Sequence, residues 1–128
     1  MSTPTTTLAG SAGMVFPLAI QLFAGDLDVT TNRRQVADGI TLAKYEVVAV
    51  VGDKIVKYNP AATDGSQNAA GIMPNAVDTT AVTGQWSAFY TGGDFNHAAL
   101  VWPSSLDTLA KRRAVFATTS KIAISSVL

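Results

Sequence analysis

Short apolar runs, separated by turn-forming residues, follow one another along the chain from Asp26 onwards. Apolar alternation or near-continuity over roughly four to eight residues, bounded by Gly, Pro, Asn or Asp, is the pattern of β-strands. We predict strands at residues 26–31, 39–51, 54–58, 69–77, 85–91 and 94–101, and a last strand at 121–128. Several short strands at close spacing favour a small β-barrel or a sandwich-like subunit.

The run at residues 45–51 is nearly continuous and β-branched. That composition predicts a strand covered on both faces. Gly52 and Asp53 then form a turn into residues 54–58. The two runs are therefore expected to pair as a hairpin.

Turn formers dominate residues 59–68, which hold a proline, an Asp-Gly pair and two asparagines. We predict a surface loop there. Pro74 interrupts the run at 69–77. Because proline donates no backbone hydrogen bond, that strand must end, bulge or lie at an edge at this position.

One helix is predicted after Pro103, with Ser104 as its N-cap. Asp107 lies near the positive end of this helix, and the basic residues at 111–113 suit its negative end. Its apolar positions are Leu106, Leu109, Ala110, Val115 and Phe116. The chain is thus expected to be mainly β with one or two short helices.

After Met1, residues 2–13 carry one large apolar side chain, that of Leu8, and no charged side chain, so the segment cannot bury enough surface to offset its ordering entropy. We predict a flexible amino-terminal arm at 1–16 and a single β-rich domain at 17–128. Threonine favours extended backbone, so a sheet edge on a partner would suit the arm; the alternative is a frayed terminus without a role. The apolar run at 14–24 is shorter than the ~20 residues that cross a bilayer, so no membrane partner is expected.

Charged residues make up 14% of the chain and hydrophobic residues 48%. Since about 25% charge is usual, part of the apolar surface is expected to face another chain. Nine basic and nine acidic side chains cancel, which disfavours nucleic acid as a partner. The chain has no cysteine, so thiol chemistry and thiolate metal sites are excluded.

No side-chain constellation indicates catalysis. His97 is the one histidine, and on a strand it would point away from Asp94, so we interpret it as structural. Asp26 and Asp28 could hold Ca²⁺ but fit a solvated edge better. Arg33 and the neighbouring Arg34 are placed in a loop. No phosphate-binding glycine loop occurs, and we predict no catalytic residue, cofactor or metal site.

Both tryptophans are candidates for packing or binding. Trp86 is predicted to lie in the core, whereas Trp102 could pack beneath the helix or lie between subunits. Aromatic and amide side chains suit sugars. A second functional hypothesis is therefore a monomeric β-barrel that binds a carbohydrate or another ligand through Trp86, Trp102, Tyr90 and Asn96.

Residues 59–72 read Asn59-Pro-Ala-Ala-Thr-Asp-Gly-Ser-Gln-Asn-Ala-Ala-Gly-Ile72, followed by Val77-Asp78 and later by Ala98-Ala-Leu-Val-Trp-Pro103 and the basic helix. In this combination the chain resembles the lambda-type bacteriophage head decoration proteins, over roughly residues 30–128 and in consistent order. The family-like core and junction positions are Asp64, Gly65, Gly71, Ile72, Leu100, Trp102 and Pro103.

The resemblance implies a compact, mostly β subunit that forms homotrimers. Such trimers would sit at local threefold positions on the outer surface of the expanded capsid of a virion, after synthesis in the host cytoplasm. They would stabilise the shell against DNA pressure. In this family the amino-terminal arm orders against the major capsid protein. The implied contacts in this chain are Thr5, Thr6, Thr7, Leu8, Val15 and Phe16. The apolar run at 14–24 departs from the family pattern, which leaves its role open between core, trimer contact and capsid contact.

Overall fold

Short strands account for most of the regular structure in the computed structural model, which describes residues 21–117 and 121–126. Its elements are β1 (Thr30–Val36), β2 (Thr41–Leu42), β3 (Val47–Val51), β4 (Lys54–Lys57), β5 (Ala69–Ile72), β6 (Val77–Asp78), β7 (Trp86–Asn96), a 3₁₀ helix (His97–Ala99), α1 (Leu109–Val115) and β8 (Ile122–Ser125). The prediction of a mainly β chain with one or two short helices is confirmed.

Five of these strands close into a barrel. Their order is β1-β4-β3-β5-β7, and a further pairing between β7 and β1 completes the circle. The pairs are antiparallel except for β1 and β4, which are parallel. Strand β8 adds to the second half of β7 in parallel, from Gly93 opposite Ile122 to Asn96 opposite Ser125. The predicted small β-barrel is therefore present.

The β3–β4 hairpin forms as predicted. Val51 lies opposite Lys54, and the two turn residues have positive φ angles, 57° at Gly52 and 64° at Asp53. Such angles belong to the tight turn whose twist matches the paired strands. Val47 and Val48 are at most 1% exposed, so β3 is covered on both faces.

Two hydrophobic clusters account for this double coverage. The inner cluster fills the barrel and consists of Val36, Leu42, Val48, Ile55, Met73 and Phe89. The outer cluster lies between the barrel wall, α1 and β8 and consists of Val47, Ala69, Ile72, Phe95, Leu100, Phe116, Ile122 and Ile124. Successive side chains of a strand point to opposite faces, so adjacent residues of β3 contribute to different clusters.

Several predicted boundaries were wrong. Strand β1 begins at Thr30 rather than at Asp26. The run at 39–51 is divided into β2 and β3 because Tyr45 takes a left-handed φ of 64°, which interrupts the extended backbone. β5 ends at Ile72, which agrees with the expected interruption at Pro74.

Strand β7 replaces two predicted strands, at 85–91 and 94–101. It ends at Asn96, five residues before the predicted end of the second. It runs without a break through Gly92 and Gly93, where separate strands were expected. These glycines allow close approach, since a Cβ atom at Gly92 would lie 2.5 Å from Oγ1 of Thr30. The strand ends at Asn96, whose side chain accepts a hydrogen bond from the backbone N–H of Ala98 and begins the 3₁₀ helix.

The helix begins later than predicted. Thr108 is its N-cap and accepts a hydrogen bond from the backbone N–H of Lys111 at 3.2 Å, so the assignment of this role to Ser104 was wrong. Leu106 N–H donates to the carbonyl of Pro103 at 2.9 Å, which places Ser104 in a turn instead. The N-cap therefore lies four residues beyond the serine, and the helix begins at Leu109.

Replacement of Gly71 by alanine is expected to lower the free energy of unfolding by about 3 kcal/mol. A Cβ atom there would lie 2.2 Å from the carbonyl oxygen of Tyr90 and 2.6 Å from the ring of Phe89, so β5 and β7 would have to separate. Gly84→Ala is the control. Gly84 has a φ of +72° and no atom within 4 Å of the added carbon, so only backbone strain of about 1 kcal/mol should appear. Equal losses in urea denaturation would contradict the clash at Gly71.

Candidate interaction surface

The family-like positions lie in three parts of the fold. Asp64 and Gly65 belong to the loop at 59–68, Gly71 and Ile72 to β5, and Leu100, Trp102 and Pro103 to the junction between the 3₁₀ helix and α1. Ile72 is fully buried, where it pairs with Val47 and Tyr90 on its two sides. These positions hold the strands and the junction together, rather than forming one pocket.

Asp64 organises its own loop. Its Oδ1 accepts hydrogen bonds from the backbone N–H of Ser66 at 3.0 Å and from the hydroxyl of Ser66 at 2.6 Å. These bonds favour the ionised carboxylate and lower the pKa of Asp64. Asn59 N–H donates to the carbonyl of Ser66 at 2.9 Å and closes the loop. The carboxylate thus serves a turn, which is how the sequence interpretation placed it.

Trp102 packs at the junction beneath the helix, which is one of the two positions that the sequence left open. Its indole Nε1–H donates to the carbonyl of His97 at 2.9 Å. Its ring lies edge-on to Phe116 with 6.3 Å between centroids. The Arg112 guanidinium lies 5.5 Å from the ring centroid, within the range of a cation–π contact.

Arg112 links α1 to the 3₁₀ helix. Its Nε donates to the carbonyl of Leu106 at 2.8 Å, and its Nη1 lies 2.9 Å from Nδ1 of His97. Because arginine can only donate, the histidine nitrogen accepts and the imidazole is neutral. Burial, and then the charges of Arg112 and Arg113, lower the pKa of His97.

His97 and Asp94 do not form an acid–base pair. Asp94 instead accepts a hydrogen bond from the hydroxyl of Ser125 at 2.7 Å, which joins β7 to β8. Within residues 21–117 and 121–126 there is no group of three or more His, Cys, Asp or Glu side chains that could hold a metal ion. In the same ranges no helix has the length and apolarity needed to cross a membrane.

Glu46 is a buried polar residue that sequence reasoning missed. Its carboxylate accepts from the backbone N–H of Ala43 at 2.8 Å and pairs with Nζ of Lys57 at 2.9 Å. It lines a cleft of about 250 Å³ together with Lys57 and Trp102. The available signal was an acidic residue inside an otherwise apolar run, which in a covered strand needs a partner.

Trp86 is exposed, so its assignment to the core was wrong. It lies at the first position of β7, opposite Gln35 of β1, and 57% of its surface is accessible. Alternation along the strand correctly predicts that Trp86 and Phe89 lie on opposite sides of β7. Phe89 points into the barrel, whereas the outer side, on which Trp86 lies, is not covered at this end of the strand. The placement of Arg33 and Arg34 in a loop was also wrong, because both belong to β1.

The residues proposed for a sugar site do not come together. Trp86 and Asn96 occupy the two ends of β7, which at about 3.3 Å per residue are roughly 33 Å apart. Asn96 is 5% exposed and donates to the carbonyl of Gln21 at 2.8 Å. Tyr90 packs against Phe23 and against Phe95 of its own strand. Nothing in this arrangement favours the carbohydrate-binding alternative.

The predicted capsid contacts at Thr5, Thr6, Thr7, Leu8, Val15 and Phe16 lie outside the described residues. Leu22 and Phe23, at the described end of the apolar run, pack against the outer cluster. Phe23 pairs with Phe95 in an antiparallel bridge, and Ala24 N–H donates to the carbonyl of Asp94 at 2.9 Å. This end of the run is thus part of the domain.

Comparison of the chain with models of known protein families finds a match to one family. The model of the family described as HDPD, bacteriophage lambda head decoration protein D, matches residues 16–124. None of the curated proteins compared with the chain matches it. The matched range contains every described strand except the last residue of β8, together with the junction around Trp102.

Truncation of Trp102 to alanine is expected to lower the free energy of unfolding by about 2 to 4 kcal/mol, because the side chain is partly buried and its hydrogen bond would be lost. Trp102→Phe is the matched control. It keeps an aromatic ring against Phe116 and removes only the indole donor, so a loss of about 1 kcal/mol is expected. A loss below about 1 kcal/mol for the alanine variant in urea denaturation would show that the junction does not depend on this ring.

Stability is expected to fall as the pH drops below about 6.5, the ordinary pKa of histidine. The pKa of His97 is lowered in the folded chain, so the unfolded chain binds the proton first and gains stability relative to the folded one. This loss of stability is absent well above pH 6.5, where His97 is neutral in both states. It grows as the pH falls towards the lowered pKa of His97 in the folded chain.

Urea denaturation between pH 8 and pH 5 measures this dependence, and His97→Gln is the control. Since histidine occurs once, the variant should show a flatter profile in this interval. Carboxyl groups with lowered pKa, such as Asp107, act only at lower pH, from their ordinary value of 3.8 downwards. An unchanged slope in the variant would contradict the assignment to His97.

Proposed function

The chain belongs to the bacteriophage lambda head decoration protein D family, a family of structural phage capsid proteins, and on that premise we propose the following role. It binds as a homotrimer at local threefold positions on the outside of the expanded capsid. There it stabilises the shell against the pressure of the packaged DNA. The observation that carries the proposal is the family match across residues 16–124.

The polar side chains that could take part in catalysis are hydrogen-bonded within the fold, which supports a binding role rather than a catalytic one. Glu46, Asp64 and Asn96 each have hydrogen-bond partners within the fold. The imidazole of His97 is occupied by Arg112. These side chains, which carry most of the chemistry at the junction and the loop, hold local structure together. Contact with a capsid would therefore use surfaces and backbone.

The arm at 1–16 is proposed to contact the major capsid protein through Thr5, Thr6, Thr7, Leu8, Val15 and Phe16. Extended, threonine-rich backbone can add as a strand to an exposed sheet edge. The residues that follow offer a firm base, because Leu22 and Ala24 are hydrogen-bonded to β7 through the Asn96 N–H and the Asp94 carbonyl at 2.7 and 2.9 Å. An arm attached there starts from a defined place on the domain.

Charge balance supports an outside location. Nine basic and nine acidic side chains give no net charge. A protein that faces packaged DNA is expected to be basic, because phosphate neutralisation supplies most of the affinity for DNA.

Weak contacts are sufficient for such a role when they are linked. A protein that binds only the expanded lattice stabilises it by RT ln(1 + [L]/Kd). In a trimer, the first arm to bind raises the effective concentration of the other two. Affinity for the shell then greatly exceeds that of one arm.

Deletion of residues 2–13 is expected to abolish attachment to undecorated expanded particles while leaving the oligomeric state and the melting temperature nearly unchanged. The described residues that form the barrel and both clusters all lie beyond position 20, so the deletion removes none of the contacts described among them. Electron microscopy of mixed and washed particles measures attachment as density at the threefold positions.

The control replaces residues 2–13 by a Gly/Ser segment of the same length, which separates the need for this sequence from the need for a spacer. It should also fail to attach. Attachment of either variant at the level of the full chain would rule out the arm as the main contact. Absence of density at every threefold position with the full chain would contradict the proposed function itself.

A further inference from the structure

An exposed tryptophan lies on the outer side of the barrel wall, at the beginning of β7. Trp86 of β7 lies opposite Gln35 of β1, which in turn lies opposite Lys54 of β4. In the next row of the same wall, Ala88 lies opposite Arg33. We call these five residues the tryptophan face.

The orientation of this face follows from strand alternation. Val36, Ile55 and Phe89 are 0–3% exposed and fill the barrel. Their immediate neighbours in sequence must point outwards, and residues that lie opposite each other on paired strands share one face. Trp86 has the same parity along β7 as Ala88, opposite to that of Phe89, and its exposure is 57%.

The tryptophan face carries uncompensated positive charge. Arg34 and Asp53 pair with each other at 2.9 Å at the adjoining turn. None of the ion pairs formed among the described residues uses Arg33 or Lys54. An apolar ring flanked by two cations is suited to a partner that offers an aliphatic surface beside carboxylates.

The same chain presents such a surface at residues 26–29, which we call the acidic segment. Leu27 and Val29 are 50% and 48% exposed and alternate with Asp26 and Asp28. Neither aspartate takes part in an ion pair within the described ranges. Leu27 and Asp28 border a cleft of about 300 Å³, whose other walls include Gly92 and Lys121.

The two surfaces of one copy cannot meet each other. Trp86 lies opposite Gln35 and Gly92 opposite Thr30, so the tryptophan face and the cleft lie towards opposite ends of the paired β1 and β7. Five residues of extended strand separate these ends by about 17 Å. Complementary surfaces at two ends of one molecule favour head-to-tail contact between copies.

We propose that Trp86 of one copy inserts into the cleft beside Leu27 and Asp28 of the next copy. In this contact Arg33 and Lys54 face the carboxylates of the acidic segment, Leu27 covers the indole ring, and a carboxylate accepts from the indole N–H. The inference rests on the proposed homotrimer and names the surfaces that form it. With a rotation of about 120° between neighbouring copies, three such contacts close a ring in which no copy has an unused face.

The occupant is a second copy because both halves of the contact are present on one electrically neutral chain. A buried aromatic anchor bordered by charged residues has the composition of an interface hot spot. The small share of charged residues, 14%, agrees with a subunit that buries part of its surface against copies of itself.

Sedimentation of the full chain tests the contact first. The wild type should form a species of about 40 kDa, three times the 13.3 kDa of the chain. Trp86→Ala should raise the dissociation constant of this species at least about 30-fold. Val101→Ala is the matched control: it also shortens an exposed apolar side chain, 42% accessible, and should leave the trimer intact.

Charge reversal tests the pairing of the two surfaces. The variant Arg33→Glu with Lys54→Glu and the variant Asp26→Lys with Asp28→Lys should each sediment as monomers, because like charges then face each other. The variant that carries all four substitutions should return to a trimer, since opposite charges face each other again. Lys44→Glu, an exposed reversal away from both surfaces, is the charge control and should remain trimeric.

The outcomes separate this interface from the proposed function. A trimeric wild type whose Trp86 and charge-reversed variants stay trimeric would overturn the interface alone. So would folded four-fold variants, checked by circular dichroism, that stay monomeric. Trimeric variants that lose attachment to expanded particles would assign the tryptophan face to the shell and also overturn the inference. A wild type that is monomeric at all concentrations would overturn both this contact and the homotrimer.

Discussion

Pairing between β1 and β7 is the contact on which the rest of the structure depends. Six residue pairs, from Thr30–Gly92 to Gln35–Trp86, join the first and the last wall strand of the barrel. Closure gives every wall strand a neighbour on both sides, which satisfies backbone groups that an open sheet would leave at its edges. It also decides which side chains are inside. Val36 and Phe89 can fill the barrel only because their strands are held next to each other.

A second layer depends on that closed wall. The outer side of β3, β5 and β7 presents apolar residues that a barrel alone would leave in water, and the 3₁₀ helix, α1 and β8 cover them. Trp102 and Arg112 hold this layer in place by hydrogen bonds to His97: the indole N–H of Trp102 donates to its carbonyl, and the guanidinium of Arg112 donates to its imidazole. The lowered pKa of His97 is a consequence of that packing, since a neutral acceptor is what the arginine requires. Burial on two faces explains why so small a barrel has a substantial core.

Local patterns were sufficient to predict the features that local chemistry decides. The β3–β4 hairpin and the end of β5 before Pro74 depend on a turn or on one missing donor, and both are present. Exposure at the ends of the wall depends on where other strands stop, which no local pattern records, and Trp86 was misplaced for that reason. The helix start was missed because Ser104 and Thr108 are equally good caps in sequence, and only the turn at Pro103 distinguishes them. The surfaces around Arg33 and Leu27 are likewise assembled from distant residues, so the sequence did not indicate them.

The distribution of charge connects this architecture to a role in assembly. Buried or junction carboxylates and the histidine have partners inside the fold, as Glu46 has in Lys57. Arg33 and Lys54 near one end of the β1–β7 pair, and Asp26 and Asp28 near the other, have no ion-pair partner among the described residues. Exposed charged side chains are well solvated and need no partner. Beside exposed Trp86 and Leu27, however, they make an apolar contact selective, because a surface of like charge is repelled and one of opposite charge is attracted. In the proposed contact, a neutral chain is selective for its own copies. Assembly of the subunits then does not use the arm that we propose for the shell.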